Sequence, residues 1–214
     1  MPTGMAIRDV RGQLFDAAER VLLRDGPSAL TSRAVTVEAG CAKGVLHRHF
    51  DDFDAFLAEF VTDRVDRMAP QAAALRDAAG TGSVVDNLVE ALTAVFGSVA
   101  VAIVPLVTFR DELRARLRRT WPAGVPVLTE AATMVESYLA AERDRGRLAV
   151  DAPVEGLAPT LIGGGHLLYA DRTGVPPEPD AVRRMVVTVL GGHVHGDQAT
   201  AVGSARPEDA DDVA

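Results

Sequence analysis

Apolar residues recur at helical spacing along most of the chain, and breakers divide that pattern into nine predicted helices. Val10, Leu14, Ala17, Ala18, Val21 and Leu22 mark the first, which should end at Asp25-Gly26-Pro27. Thr31 can cap the second, because its hydroxyl accepts a backbone N–H left unpaired in the opening turn. Val35 and Ala39 face inward on that helix, and Gly40 suits the left-handed residue that ends it. A third covers 42–49, with Val45, Leu46 and Phe50 as anchors. Asp52 or Asp54 starts the fourth, whose stripe of Phe53, Phe56, Leu57, Phe60, Val61, Val65 and Met68 is interrupted at Pro70. A turn at 80–83 follows.

Residues 91–109 form a run of nineteen uncharged positions, long enough to span a bilayer on length alone. Its many Ala, Gly, Ser and Thr residues, and the lack of an aromatic belt or a flanking Lys/Arg bias, favour a buried helix that breaks at Pro105. The sixth resumes over 106–119 with Arg114, Arg116, Arg118 and Arg119. That run reads as a solvated face, with a supporting role near DNA as the alternative. The seventh carries Val127, Leu128, Ala131, Met134, Val135, Tyr138 and Leu139 and stops near Gly146. The eighth covers 154–172, with Leu157, Leu161, Gly164, Gly165 and Leu168 in register. After Pro176, Pro177 and Pro179, Asp180 is expected to cap the ninth, whose stripe is Val182, Met185, Val186, Val189 and Leu190. Nine helices and no convincing strand make the expected fold all-α.

Helices two and three leave Lys43, His47, Arg48 and His49 outward, with small Ala42 and Gly44 between them. A helix-turn-helix needs this arrangement, because its second helix must enter the major groove with short or basic side chains toward the bases. The segment 31–50 resembles the DNA-binding head of the tetracycline-repressor (TetR) family. Thr31, Ala39-Gly40-Cys41, Gly44, Leu46, His47, His49 and Phe50 fall at that family's fixed positions. His47 stands where the family usually has tyrosine, and Phe53 where lysine is common. Three helices followed by six also resembles the family's layout, a head plus a larger body.

The resemblance implies a homodimeric, ligand-responsive repressor released from a palindromic DNA operator by a small, largely apolar effector. It implies DNA contacts from Thr31, Ser32, Arg33, Ala42, Lys43, Val45, His47 and His49. Arg33 and Lys43 suit guanine O6 and N7 best. It implies an effector cavity among Phe96, Phe109, Trp121, Met134, Tyr138, His166 and Tyr169, where ordinary core is the competing reading for each residue. It places the dimer seam on the eighth and ninth helices, at Leu161, Gly164, Gly165, Leu168, Val182, Val186 and Val189. The implied organisation is a DNA-binding head at 1–51, an effector and dimerisation body at 52–195, and an acidic disordered tail at 196–214. That tail has one arginine against five acids and little apolar patterning.

Composition refines this reading. The net charge of −8 opposes nucleic acid, but residues 1–50 carry seven Lys/Arg against five Asp/Glu. The other residues carry fifteen against twenty-five. Phosphates respond to the local field, within a Debye length of about 8 Å. Lys43 is the only lysine, and the Ala, Val, Gly and Arg bias points to a bacterial genome. A single cysteine cannot form an internal disulfide, and Met1 onward lacks an apolar leader, so a cytoplasmic setting is expected.

No site in the sequence carries convincing catalysis, metal or cofactor chemistry. Gly80-x-Gly82 lacks a phosphate-loop fingerprint. Gly163-Gly164-Gly165 points to close backbone approach, with a dimer seam as the favoured cause. His193 and His195 lie two apart, on different helix faces. Cys41 reads as a small hydrophobe in the turn rather than a redox sensor. The alternatives to a ligand-released repressor are a same-fold activator, a regulator without effector, a helical enzyme, and a membrane-associated protein.

Overall fold

The computed structural model describes residues 9–170 and 177–195. The expected tail at 196–214, and Pro176, lie outside the described residues.

The head begins with α1 (Val10–Asp25), capped by Asp9, whose carboxylate accepts from Gly12 N at 2.8 Å. Leu14, Phe15, Ala17, Ala18, Val21 and Leu22 are its buried face. Gly26, at φ 81°, ends it where the predicted breaker stands, and Pro27–Ala29 makes a single 3₁₀ turn. α2 (Ser32–Glu38) starts at the expected cap, with Thr31 Oγ1 accepting from Ala34 N at 3.1 Å. It ends in a Schellman motif: Gly40 sits at φ 65°, its N–H donates to Val37 O, and Cys41 N–H donates to Thr36 O. α3 (Gly44–His49) then leaves the turn, and only Leu46 on it is fully buried.

α4 (Phe53–Asp66) is capped by Asp52, whose carboxylate accepts from Ala55 N at 2.7 Å. Phe56, Leu57, Phe60 and Val61 bury the centre of the predicted stripe. Phe15, Phe50, Phe53, Phe56 and Phe60 form one ring cluster with neighbouring centroids 5.0–6.3 Å apart. Head and body therefore share a continuous core.

The remaining elements number more than expected. Eleven α-helices stand among the described residues, where nine were predicted. The break after α4 falls at Arg67-Met68, and Pro70 sits at the start of α5 (Ala69–Asp77), where its missing N–H costs nothing. The uncharged run does not break at Pro105. α6 (Val84–Phe96) ends at Gly97, and α7 (Ala100–Thr108) carries Pro105 inside it. Arg110 then adopts an extended conformation before α8 (Asp111–Leu117). Acidic Asp111 and Glu112 favour that new start through the helix dipole. α6 and α7 meet at a 54° bend, and no single described helix is long and apolar enough to cross a membrane.

α9 (Pro126–Asp144) is the central body helix, packed against α4, α5 and α10 (Val154–Tyr169). α11 (Pro179–Leu190) packs on α6 and α10. Asp180 lies in its first turn rather than capping it; the cap position is Glu178 and makes no side-chain bond. A single bridge, Leu148–Val194, is the only extended pairing among the described residues.

Two polar networks cross this apolar interior. Glu142, fully buried, accepts Gly80 N–H through both oxygens at 3.2 and 3.3 Å, fixing the α5–α6 turn to α9. Tyr138 OH accepts from Asn87 at 3.0 Å beside it, and burial raises the Tyr138 pKa, helped by its hydrogen bond to Glu142. Nearer the head, the buried Arg64 guanidinium lies 3.0 Å from Asp16 and 2.7 Å from Glu19, tying α4 to α1.

Candidate nucleic-acid interface and body cavities

The cations of the head fall into two groups. Arg20 and Arg24 both reach Glu38 at the end of α2, at 2.7 and 2.8 Å, clamping α1 to α2. These bonds, Arg20's first, hold the Glu38 carboxyl below its usual range. Arg11 pairs with Glu59, stands 4.3 Å over the Phe50 ring and donates to His49 O. These side chains hold the head together.

Arg33, Lys43, His47 and Arg48 form the second group. All four are exposed, and none has an ion pair or side-chain hydrogen bond. They sit on α2, on the turn and on one side of α3, with exposed Thr31, Ala42 and His49 among them. Ser32 and Val45 are half-buried at the margin. Gly44 has open space where a Cβ would stand, so the start of α3 is a bare backbone edge. Of the eight predicted DNA residues, Thr31, Arg33, Ala42, Lys43, His47 and His49 are exposed, and Ser32 and Val45 are half-buried. Arg48 belongs with them; its outward position beside His47 and His49 was the available signal. The surface can donate to phosphates through unpaired cations and to base edges through α3, the chemistry of a helix-turn-helix.

The seven residues expected around an effector are not gathered into one cavity. Phe109, His166 and Tyr169 line a groove of about 720 Å³. The groove lies between the end of α1 and its 3₁₀ turn on one side and α7 and the end of α10 on the other. Phe96 is buried behind it, its ring 5.7 Å from Tyr169 and 6.4 Å from His166. Phe109 itself is 81% exposed. Met134 lines a separate cleft of about 510 Å³ between α4, α5 and α9. Trp121 is bound to that second cleft through Nε1 donating to Glu130 at 2.8 Å. Tyr138 is core. The groove's head residues, Leu23, Asp25 and Ser28, carried no sequence signal, because they meet α7 and α10 only in the folded chain.

The proposed seam needs a correction of face. Leu161, Gly165, Val182 and Val186 are buried inside their own chain, against the α6 side, and have no surface to offer a partner. Gly165 lies against the Phe96 ring, which accounts for the close approach that the glycine run implied. Gly164, Leu168 and Val189 are half-buried, and the apolar residues these two helices do expose are Leu167 and Val187. Among the described residues no group of three or more His, Cys, Asp or Glu could hold a metal.

A bundle of helices presenting a bare helix-turn-helix surface defines a DNA-binding transcriptional regulator. Residues 14–60 match the family of bacterial regulatory proteins named for tetR, which supports a TetR-family regulator whose DNA-binding head lies in that segment. No curated protein matches the chain in sequence. Among solved structures it is similar to the fatty acid degradation regulator FadR from Bacillus halodurans. That match has a TM-score of 0.66 and 16% identity, over 85% of this chain and 95% of that one. It is also similar to a transcriptional regulator from Rhodococcus sp. Rha1, at TM-score 0.66 and 20% identity over 86% and 98% of the chains. The multidrug binding protein EbrR, complexed with imidazole, matches at 0.57 and 20% over 85% and 94%.

Proposed function

We propose that this regulator is a cytoplasmic homodimer that represses transcription from a palindromic operator and is released by a small, largely apolar effector. The reading divides the chain into a DNA-binding head at 1–51, an effector and dimerisation body at 52–195 and an acidic tail at 196–214. The observation that carries it is the 720 Å³ groove, whose walls belong to both head and body. Its volume falls in the usual range for small-molecule sites, and it sets apolar Leu22, Val101, Ala102 and Tyr169 beside polar Asp25, Ser28 and His166. A ligand seated there touches α1 and α7 at once, so occupancy and head position are linked. That FadR is a fatty acid degradation regulator, and that EbrR binds multiple drugs, fits an apolar ligand.

The ligand shifts the balance of head positions only by its differential affinity for them. The coupling is reciprocal, and duplex should weaken the effector by the same factor, typically about 5–150-fold. The test is a titration of apolar compounds bearing one polar group, read by anisotropy of a labelled duplex from upstream of the gene. An effector in the groove should release duplex and lose affinity in His166→Ala. Trp121 emission separates the two sites, because that ring is tied to the 510 Å³ cleft and not to the groove. If every compound that binds leaves duplex affinity unchanged, the regulator has no effector of this kind.

A further inference from the structure

The arginine run of α8 is placed by two ion pairs. Arg110, just before α8, holds Asp54 at 2.9 Å, with its guanidinium 5.5 Å from the centre of the Phe53 ring. Arg116, near the end of α8, holds Asp52 at 2.5 Å. Asp54 lies in the first turn of α4 and Asp52 is its cap, so both ion pairs hold α8 at the start of that helix. Asp52 in turn stands two residues past Phe50, which caps the end of α3. The C-terminal end of α8 therefore points to the side of the head where α3 ends. Arg118 and Arg119 follow there, both exposed and without any ion pair or side-chain hydrogen bond.

The charges at this corner call for a counterpart. Asp51, Asp52 and Asp54 would repel an approaching phosphate; Arg116 and Arg110 offset two of them. Arg118 and Arg119 then remain as unpaired positive charge just past the Arg116–Asp52 pair, near the end of α3.

We propose that the body helix α8 extends the DNA-binding surface, with Arg118 and Arg119 contacting phosphates that flank the segment read by α3. The proposal rests on the DNA-binding reading but adds a contact from outside the head. The contact carries no base information and adds salt-dependent affinity on any duplex.

The experiment uses the full chain and a mixed-sequence duplex of about 30 base pairs, three helical turns. Affinity is measured from 50 to 200 mM salt for the wild type, Arg118→Ala/Arg119→Ala and Arg118→Lys/Arg119→Lys. A control, Arg76→Ala/Arg145→Ala, removes the same charge from exposed positions on α5 and after α9. Each phosphate contact contributes about 0.9 to the salt slope. Two contacts mean that the fourfold rise in salt costs the wild type about tenfold more affinity than the alanine double variant. The lysine variant should keep the wild-type slope, because the charge is kept. Circular dichroism verifies that helicity is unchanged. An alanine variant with the wild-type slope, or a control that loses as much slope, overturns the proposal and leaves the head's DNA binding standing. A wild type that shows no salt-dependent duplex binding overturns both.

Discussion

The three consecutive glycines of α10 should respond to alanine in three different ways. A Cβ on Gly163 meets nothing within 4 Å, so Gly163→Ala gains only helix propensity, about 0.5–1 kcal/mol. At Gly164 the new methyl would stand 3.0 Å from Met185 Sδ, the flexible end of an unbranched side chain that can move aside. Propensity and repacking should nearly cancel there. At Gly165 it would stand 2.4 and 2.9 Å from two Phe96 ring carbons, which no real contact allows. That ring cannot yield cheaply, since it stacks on Tyr169 and meets His166 edge-on. Overpacking costs about 1–3 kcal/mol and disturbed ring contacts about 0.5–1.5 kcal/mol more, against about 1 kcal/mol of regained propensity. Gly165→Ala should therefore destabilise by about 1–2 kcal/mol, and the first and third variants should lie about 2 kcal/mol apart. For a chain of this size that gap is roughly 4–8 °C in Tm. Urea and thermal unfolding at one fixed protein concentration would measure it. Gly165→Ala equal to or more stable than Gly163→Ala would refute the assignment of this glycine to the Phe96 contact.

Other substitutions probe the remaining elements. Lys43→Ala should cost about 1–3 kcal/mol on the operator and much less on scrambled duplex, as expected for a base contact; equal losses on both would make it a phosphate contact. Leu167→Arg with Val187→Arg should give a folded monomer by sedimentation. Val186→Arg should instead unfold the chain, because that residue is fully buried within its own core. The Glu38 pKa is lowered on folding, by Arg20 first and then Arg24. Its contribution to stability is therefore complete above the unfolded carboxylate range and is lost as pH falls through the lower folded value. Glu38→Gln should accordingly lower stability at neutral pH and flatten the acid limb of the stability–pH curve; an unchanged acid limb would show that the clamp does not stabilise the head.

Local chemistry was legible in the sequence wherever it acts within a few residues. The Thr31 cap, the Gly40 turn, the Asp25-Gly26-Pro27 stop and the Asp52 cap all form as their residue types require, because each rests on bonds spanning about three to five positions. The exposed side of α3 was legible for the same reason: Leu46 and Phe50 fix its inner face, and Lys43, His47 and Arg48 are left outside. Helix breaks inside apolar stretches were not. Pro70 starts α5, where its missing N–H is not needed, whereas Pro105 is carried within α7 at the cost of one backbone bond that the surrounding packing offsets. The inner face of a helix was visible as periodicity, but not which neighbour would cover it. Val182 and Val186 therefore passed for a dimer seam until α6 was seen to bury them. Leu23, Asp25, Phe109 and His166 lie far apart along the chain, and only long-range packing of α1, α7 and α10 makes them walls of one groove.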